Sequence, residues 1–138
     1  MANYYESTRT NYFRVKDEKT FMEYANGIPS SEVVRDSEGR FAFLFGEEGV
    51  PSSIIVTLKE EDGTEYEEYD DFDFIDSIIP FIAEDSVVIL MGSGAEKLRY
   101  VSGYATAVNS KGEIASINLD EIYARAKKLG GEVTRAEY

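Results

Sequence analysis

Between Glu60 and Asp76 the chain reads EEDGTEYEEYDDFDFID, and ten of these 17 residues are acids. From Glu60 through Glu96 there are 13 acids and no lysine or arginine. The remainder of the 138-residue chain is charge-balanced, so the whole formal net charge of −13 resides in this one region. A block of like charge repels itself and is costly to hold ordered, so the segment belongs at the surface. Four aromatics, Tyr66, Tyr69, Phe72 and Phe74, are interleaved with the acids.

The chain has no cysteine, histidine or tryptophan. That excludes a disulfide, a thiol nucleophile and a thiolate zinc site. It also excludes an imidazole base, a Ser-His-Asp triad and a histidine metal ligand. With an excess of acids this large, direct binding to a phosphate backbone is not expected. At 43% hydrophobic and 13% aromatic residues the composition is that of a folded protein. The length fits one domain over residues 1–138, with the acidic segment 60–76 inside it. The N-terminus has no apolar stretch behind basic residues, and the apolar runs at Ile75–Ala83 and Val87–Met91 are too short to span a bilayer. The expectation is a soluble cytoplasmic protein that does not act at a membrane.

The local patterns predict a mixed α+β fold. Thr8–Val15 reads as a strand. Asp17 caps a helix over Glu18–Asn26, with Phe21, Tyr24 and Ala25 on its apolar face and Asn26-Gly27 as a left-handed stop. Glu32–Arg35 and Arg40–Phe45 form a hairpin about Asp36–Gly39, and Ser53–Leu58 is a third strand. Asp62-Gly63 is a turn signal, with an extended return over Thr64–Tyr69. A helix from Asp70 or Asp71 to about Ala83 follows, kinked or stopped by Pro80. Val87–Met91 is a strand, and Gly92–Gly94 with Glu96-Lys97 a connection. Leu98–Val108 and Glu113–Ile117 form a hairpin about Asn109–Gly112. Asn118 caps a last helix, with Glu121 completing a capping box and Leu119, Ile122, Ala126 and Leu129 along one side. The tail from Glu132 is extended and pairs at an edge. The expected architecture is an antiparallel sheet of hairpins with two to three helices packed on one face. The order helix, strand, strand, strand occurs twice, which suggests an internal α-β-β-β duplication.

The acidic segment is the candidate binding site: Glu65, Tyr66, Glu67, Glu68, Tyr69, Asp70, Asp71 and Asp73. Its chemistry suits a basic protein surface, approached by fast, salt-sensitive association. As an imitation of nucleic acid it is sparse. Glu60–Tyr69 extended spans ~33 Å with six acids, one per ~5.5 Å, against a phosphate every ~3.4 Å along a single strand. Asp70, Asp71, Asp73 and Asp76 would have to fold alongside, or a second subunit contribute, to match that density. Calcium is the other reading of Asp62, Asp70, Asp71 and Asp73, but the EF-hand spacing is missing. Gly92–Lys97 lacks the phosphate-loop pattern and reads as a turn. Glu96, Lys97 and Arg99 read as an exposed ion-paired face. Paired carboxylates in an exposed stretch make a poor glycosidase site, so no catalytic residue, metal or cofactor is assigned. Ten tyrosines, among them Tyr4, Tyr5, Tyr12, Tyr66, Tyr69, Tyr100, Tyr104 and Tyr138, suit a partner-binding or homodimer surface.

Three segments carry a resemblance: Tyr5–Asp17 (YESTRTNYFRVKD), Ala95–Ala105 (AEKLRYVSGYA) and Thr134–Tyr138 (TRAEY). They resemble a group of small acidic proteins carried on conjugative elements and prophages of Gram-positive gut bacteria. The resemblance implies a setting rather than a site. Mobile elements carry small acidic inhibitors of host defence, including antirestriction and anti-CRISPR proteins, several of which imitate DNA. The resulting expectation is a non-enzymatic inhibitor that lays its acidic segment on the DNA-binding groove of a nuclease. The alternative is an accessory scaffold that binds through a Tyr-rich β-surface while the acids only solubilise.

Overall fold

The computed structural model describes residues 4–97 and 99–137. Strand β1 (Tyr4–Thr10) leads to helix α1 (Glu18–Asn26) and the hairpin β2 (Ser31–Arg35) and β3 (Phe41–Phe45). A second hairpin, β4 (Ser53–Lys59) and β5 (Glu65–Asp71), precedes helix α2 (Phe74–Ile78), which runs into a 3₁₀ turn at Ile79–Phe81. Strands β6 (Val87–Glu96), β7 (Val101–Asn109) and β8 (Ile114–Asn118) follow, and then helix α3 (Glu121–Ala126) with a 3₁₀ turn at Lys127–Leu129. Among the described residues six strands form one antiparallel sheet in the order β2-β3-β1-β6-β7-β8, while β4 and β5 pair only with each other. The fold is α+β. The α-β-β-β order does recur along the chain, but β4 leaves the sheet whereas its counterpart β8 stays in it.

The first strand begins earlier than the sequence suggests and ends at Thr10 rather than Val15. It pairs with β6 from Tyr4↔Glu96 to Thr10↔Leu90 but meets β3 only at Arg9↔Leu44. Side chains extend the ladder from there. The buried Thr10 hydroxyl accepts from the Phe43 N–H at 2.9 Å and donates to the Asn11 carbonyl at 2.9 Å. The Asn11 amide accepts from the Ile89 N–H at 2.8 Å and donates to the Val87 carbonyl at 3.0 Å, standing in for a strand residue. The chain then touches the body at Phe13↔Phe41 and Val15↔Ile82.

One cluster of buried side chains joins the sheet to two helices. Phe41 and Phe43 come from β3, Val88 and Leu90 from β6, and Val108 from β7. Phe21 and Ala25 enter from α1, and Phe74 and Ile78 from α2. The Phe43 ring centroid lies 5.6 Å from Phe21, 5.2 Å from Phe74 and 6.3 Å from Phe13. The two helices are tied directly by a 2.6 Å hydrogen bond between Tyr24 Oη and Ser77 Oγ, with the Tyr24 ring stacked on Phe81.

Asp17 caps α1 as expected, accepting from the Thr20 N–H at 3.1 Å. Gly27 departs from the predicted left-handed stop: its φ is −84°, and its N–H closes the last turn onto the Tyr24 carbonyl. The second helix starts at Phe74 rather than Asp70 or Asp71, because those acids pair with β4. It stops at Ile78, and Pro80 sits in the 3₁₀ turn, where no backbone donor is missed. Gly92–Gly94 is strand rather than connection, and the turn lies at Glu96–Arg99, with Lys97 at φ 46°. The predicted strand start at Leu98 and the end of the tail at Tyr138 lie outside the described residues.

The last helix also differs. Asn118 stays in β8 because the next N–H, that of Leu119, bonds the Gly103 carbonyl at 2.9 Å. Asp120 takes the N-cap position without a side-chain bond, so the Asn118–Glu121 capping box does not form. No residue of α3 is buried, and Leu129 beyond it is 86% exposed. Two helices therefore supply the core, not three. The tail does not add a strand to the sheet: it makes one isolated bridge, Tyr100↔Glu137, outside the named strands.

Burial is the main reason the Tyr24 hydroxyl is pushed up to about 12. An unfolded tyrosine ionises near 10, so the contribution of Tyr24 is intact below pH 10 and is lost as pH rises towards 12. Tyr24→Phe is expected to cost about 1 kcal/mol at neutral pH through the lost Ser77 bond. The gap between wild type and variant should then shrink between pH 10 and 12, as read by urea unfolding.

Candidate functional site

The acidic segment folds as the β4–β5 arm and its tip. At the tip the Glu60 N–H bonds the Thr64 carbonyl at 2.9 Å and the Gly63 N–H bonds the Glu60 carbonyl at 3.0 Å. Gly63 has φ +88°, a conformation that other residues adopt only at a cost. Asp62 accepts from the Thr64 N–H at 2.8 Å, and this bond, with the Thr64 hydroxyl, holds its carboxyl below the usual carboxylate range. The register then runs from Lys59↔Glu65 to Ser53↔Asp71, and the Phe72 N–H closes the base onto the Ser52 carbonyl at 2.9 Å. Ile54, Ile55, Val56 and Leu58 of β4 stand opposite Asp70, Tyr69, Glu68 and Tyr66. Every residue of β5 is exposed.

Strand alternation divides the predicted site between two faces. Glu65, Glu67, Tyr69 and Asp71 share one face with Ser53, Ile55, Thr57 and Lys59. Tyr66, Glu68 and Asp70 share the other with Ile54, Val56 and Leu58. The first face is the more open: Tyr69 is 77% exposed and its cross-strand partner Ile55 54%. Successive acids on one face are about 6.8 Å apart, roughly twice the ~3.4 Å step of phosphates along one nucleic-acid strand. Asp70 and Asp71 extend the strand, and Asp73 and Asp76 lie in the first turn of α2, so none of them folds back alongside the arm to close that gap.

Asp73 has a structural task. It is the N-cap of α2, accepting from the Asp76 N–H at 3.2 Å, and its charge adds to the upward shift of Tyr24. Among the described residues the other acids of the arm have one cation paired with them, Lys59, whose Nζ is 3.7 Å from Glu65. Asp62 lies at the tip and Asp70, Asp71 and Asp73 at the base, so the oxygen ligands of the calcium reading are held at opposite ends. Among the described residues no group of three or more carboxylates is arranged to hold a metal ion. No helix among them is long and apolar enough to cross a membrane.

A second surface was not anticipated. On β6, Val88 and Leu90 face the core, so Ile89 and Met91 face the other side of the sheet. Register places Ala105 and Ala107 of β7 and Ala115 and Ile117 of β8 on that same side. It is an open aliphatic face, with Met91 58% and Ile117 61% exposed. Small residues make it shallow, and Leu119 packs over Gly103 at its rim. The signal was present in the alternation of β6, but a continuous apolar run reads equally well as a strand buried on both faces.

Among the described side chains, the tyrosines lie elsewhere. Tyr66 and Tyr69 are on the arm. Tyr104 lies across Gly92 on the core side, where a Cβ at position 92 would come within 2.7 Å of its ring. Its hydroxyl is 3.4 Å from Glu6 Oε1. Tyr12 lies 5.7 Å beneath the Arg9 guanidinium. Glu96 ends β6 and Lys97 and Arg99 lie in the turn beyond it, with Arg99 Nη1 3.5 Å from Glu96 Oε1.

No protein-family model, no curated protein and no solved structure matches the chain.

The separation of Asp73 from the arm is testable. Asp73→Ala is expected to destabilise the fold by about 1 kcal/mol through the lost cap. Asp71→Ala, two residues away on the exposed arm, should change it by less than about 0.5 kcal/mol. Chemical denaturation of the two variants checks both.

Proposed function

We propose that the protein acts without catalysis by binding another protein, and that the β4–β5 arm is the part that binds. The observation that supports this most is the exposure of every β5 residue on a ribbon that pairs with nothing else in the fold. A protein gains little stability from seven exposed residues dominated by like charge. An apolar anchor rimmed by acids, with Tyr69 and Ile55 at the centre and Glu67 and Asp71 beside them, suits a basic surface that offers an apolar pocket. The acids on one face are too widely spaced to copy a phosphate strand step for step. The arm therefore approaches such a surface as a charged ribbon with an aromatic anchor.

In its most specific form the reading is inhibition of a host nuclease defence system, restriction or CRISPR, by covering the nuclease's DNA-binding groove. The resemblance to proteins of mobile elements supports that setting. Glu65, Glu67, Glu68, Asp70 and Asp71 supply the charge, and Tyr66 and Tyr69 the apolar contact. Asp73 is left out of the binding set because its carboxylate caps α2. An accessory scaffold role remains the second reading, and the open face around Met91 and Ile117 favours it. Its surface is aliphatic rather than Tyr-rich.

A challenge assay in bacteria carrying a restriction or CRISPR nuclease separates the two. Wild type should protect incoming DNA. A variant with Glu65, Glu67, Glu68, Asp70 and Asp71 as amides should fold and lose most of that protection. Its affinity for the nuclease should fall by about tenfold or more, each tenfold being about 1.4 kcal/mol. Protection retained by the amide variant would assign the function to another surface. Protection by neither protein against any system would set defence inhibition aside.

A further inference from the structure

The two edges of the six-stranded sheet are unlike. Strand β2 carries Glu32 and Arg35, charges of the kind that keep an edge from pairing with another chain. Strand β8 reads Ile-Ala-Ser-Ile-Asn, with no charge and no proline, and all five residues are exposed. The tail does not cover it, since Glu137 pairs with Tyr100, ahead of β7.

The hydrogen-bond parity of β8 is fixed by its two flanks. The Asn109 N–H bonds the Glu113 carbonyl at 3.3 Å, and the Leu119 N–H bonds the Gly103 carbonyl at 2.9 Å. In an antiparallel ladder, bonded pairs alternate with non-bonded ones. Residues 113, 115, 117 and 119 thus bond inward to β7. Ile114, Ser116 and Asn118 direct their N–H and C=O groups out from the sheet edge.

We propose that β8 is the contact between two copies of this chain, paired edge to edge in antiparallel register centred on Ser116. That register sets Ser116 opposite Ser116 of the second copy and Ile114 opposite its Asn118, all three with outward-pointing backbone groups. The two copies would exchange about six backbone hydrogen bonds. On the aliphatic face Ala115 meets Ile117 of the second copy, small against large, twice by symmetry. No charge lies within the paired strands. The flanking acids are engaged within their own chain, Glu113 by the Asn109 amide at 3.0 Å and Asp120 by Arg135 at 3.6 Å. Eight of the 13 acids between Glu60 and Glu96 are on the arm, and none is in β8. The result is a twelve-stranded sheet with two acidic arms, which would raise the avidity for any partner the arm binds. The contact itself stands apart from the function proposed for the arm.

Ser116 offers a selective test, because its N–H is not used by β7. Wild type should sediment at twice 15.5 kDa at micromolar concentration. Ser116→Lys and Ser116→Glu each place like charges opposite one another across the two-fold axis, and each alone should be monomeric with unchanged circular dichroism. Mixed in equal amounts they should form a dimer of one copy of each. If a lysine or glutamate variant fails to fold, Ser116→Pro, which removes the outward donor and leaves the backbone bonds to β7 intact, takes its place and should be monomeric. A monomeric wild type would overturn the proposal. So would single variants that remain dimeric, or folded monomeric variants that fail to associate when mixed.

Discussion

Phe43 is the residue on which the architecture turns. Its ring lies within 6.4 Å, centroid to centroid, of Phe13, Phe21, Tyr24, Phe45 and Phe74. Those five rings come from the segment after β1, from α1, from β3 itself and from α2. Its backbone N–H is held by Thr10, so the same residue also joins β3 to the central strand. Edge-to-face packing of this kind contributes beyond the area it buries, and close packing leaves few alternative arrangements. The two helices are placed by that cluster, and the Tyr24–Ser77 bond fixes one against the other.

The charge follows from the same constraint. A chain with 27 acids and 14 bases has to keep its excess carboxylates in water. It does so by passing them out of the sheet between two elements of the core, β3 before the arm and α2 after it. Phe72 and Phe74 mark the return: Phe72 is half-buried against the cluster and Phe74 is one of its buried members. Asp73 between them caps α2, so an acid of the run starts the helix that returns the chain to the core. The sheet is thereby relieved of part of that self-repulsion, and eight of the acids are left exposed on the ribbon.

Much of this was legible in the sequence, and the failures have physical causes. Helix α1 and its Asp17 cap were fully local, set by apolar spacing and one carboxylate, and they fold as read. The β2–β3 and β7–β8 hairpins were equally local, with Gly39 and Gly112 at positive φ in their turns. The start of α2 was misplaced because a run of acids suits a helix N-terminus as well as an exposed strand, and only pairing with β4 decides between them. The extent of β6 was hidden because Gly-Ser-Gly reads as a loop. The glycine at 92 is required by the Tyr104 ring from the next strand, a contact between residues far apart in sequence. Seven of the eight acidic and aromatic candidate residues lie on the exposed strand β5, where period-two alternation splits them between two faces, and the eighth, Asp73, caps α2. The aliphatic outer face of β6–β8 went unread because local pattern cannot show that the second side of a strand is left uncovered.

The central claim is that the acidic arm is an outlying unit, stable enough to be presented but separable from the aromatic core. Native-state hydrogen exchange resolved by residue tests it most directly, since it reports the free energy at which each segment opens. Amides of β4 and β5 should exchange through an opening of lower free energy than those of β1, β3 and β6, while Phe43 and Val88 stay protected. If the arm and the sheet instead shared one level of protection and opened together, the arm would be part of the cooperative core and the account would be wrong.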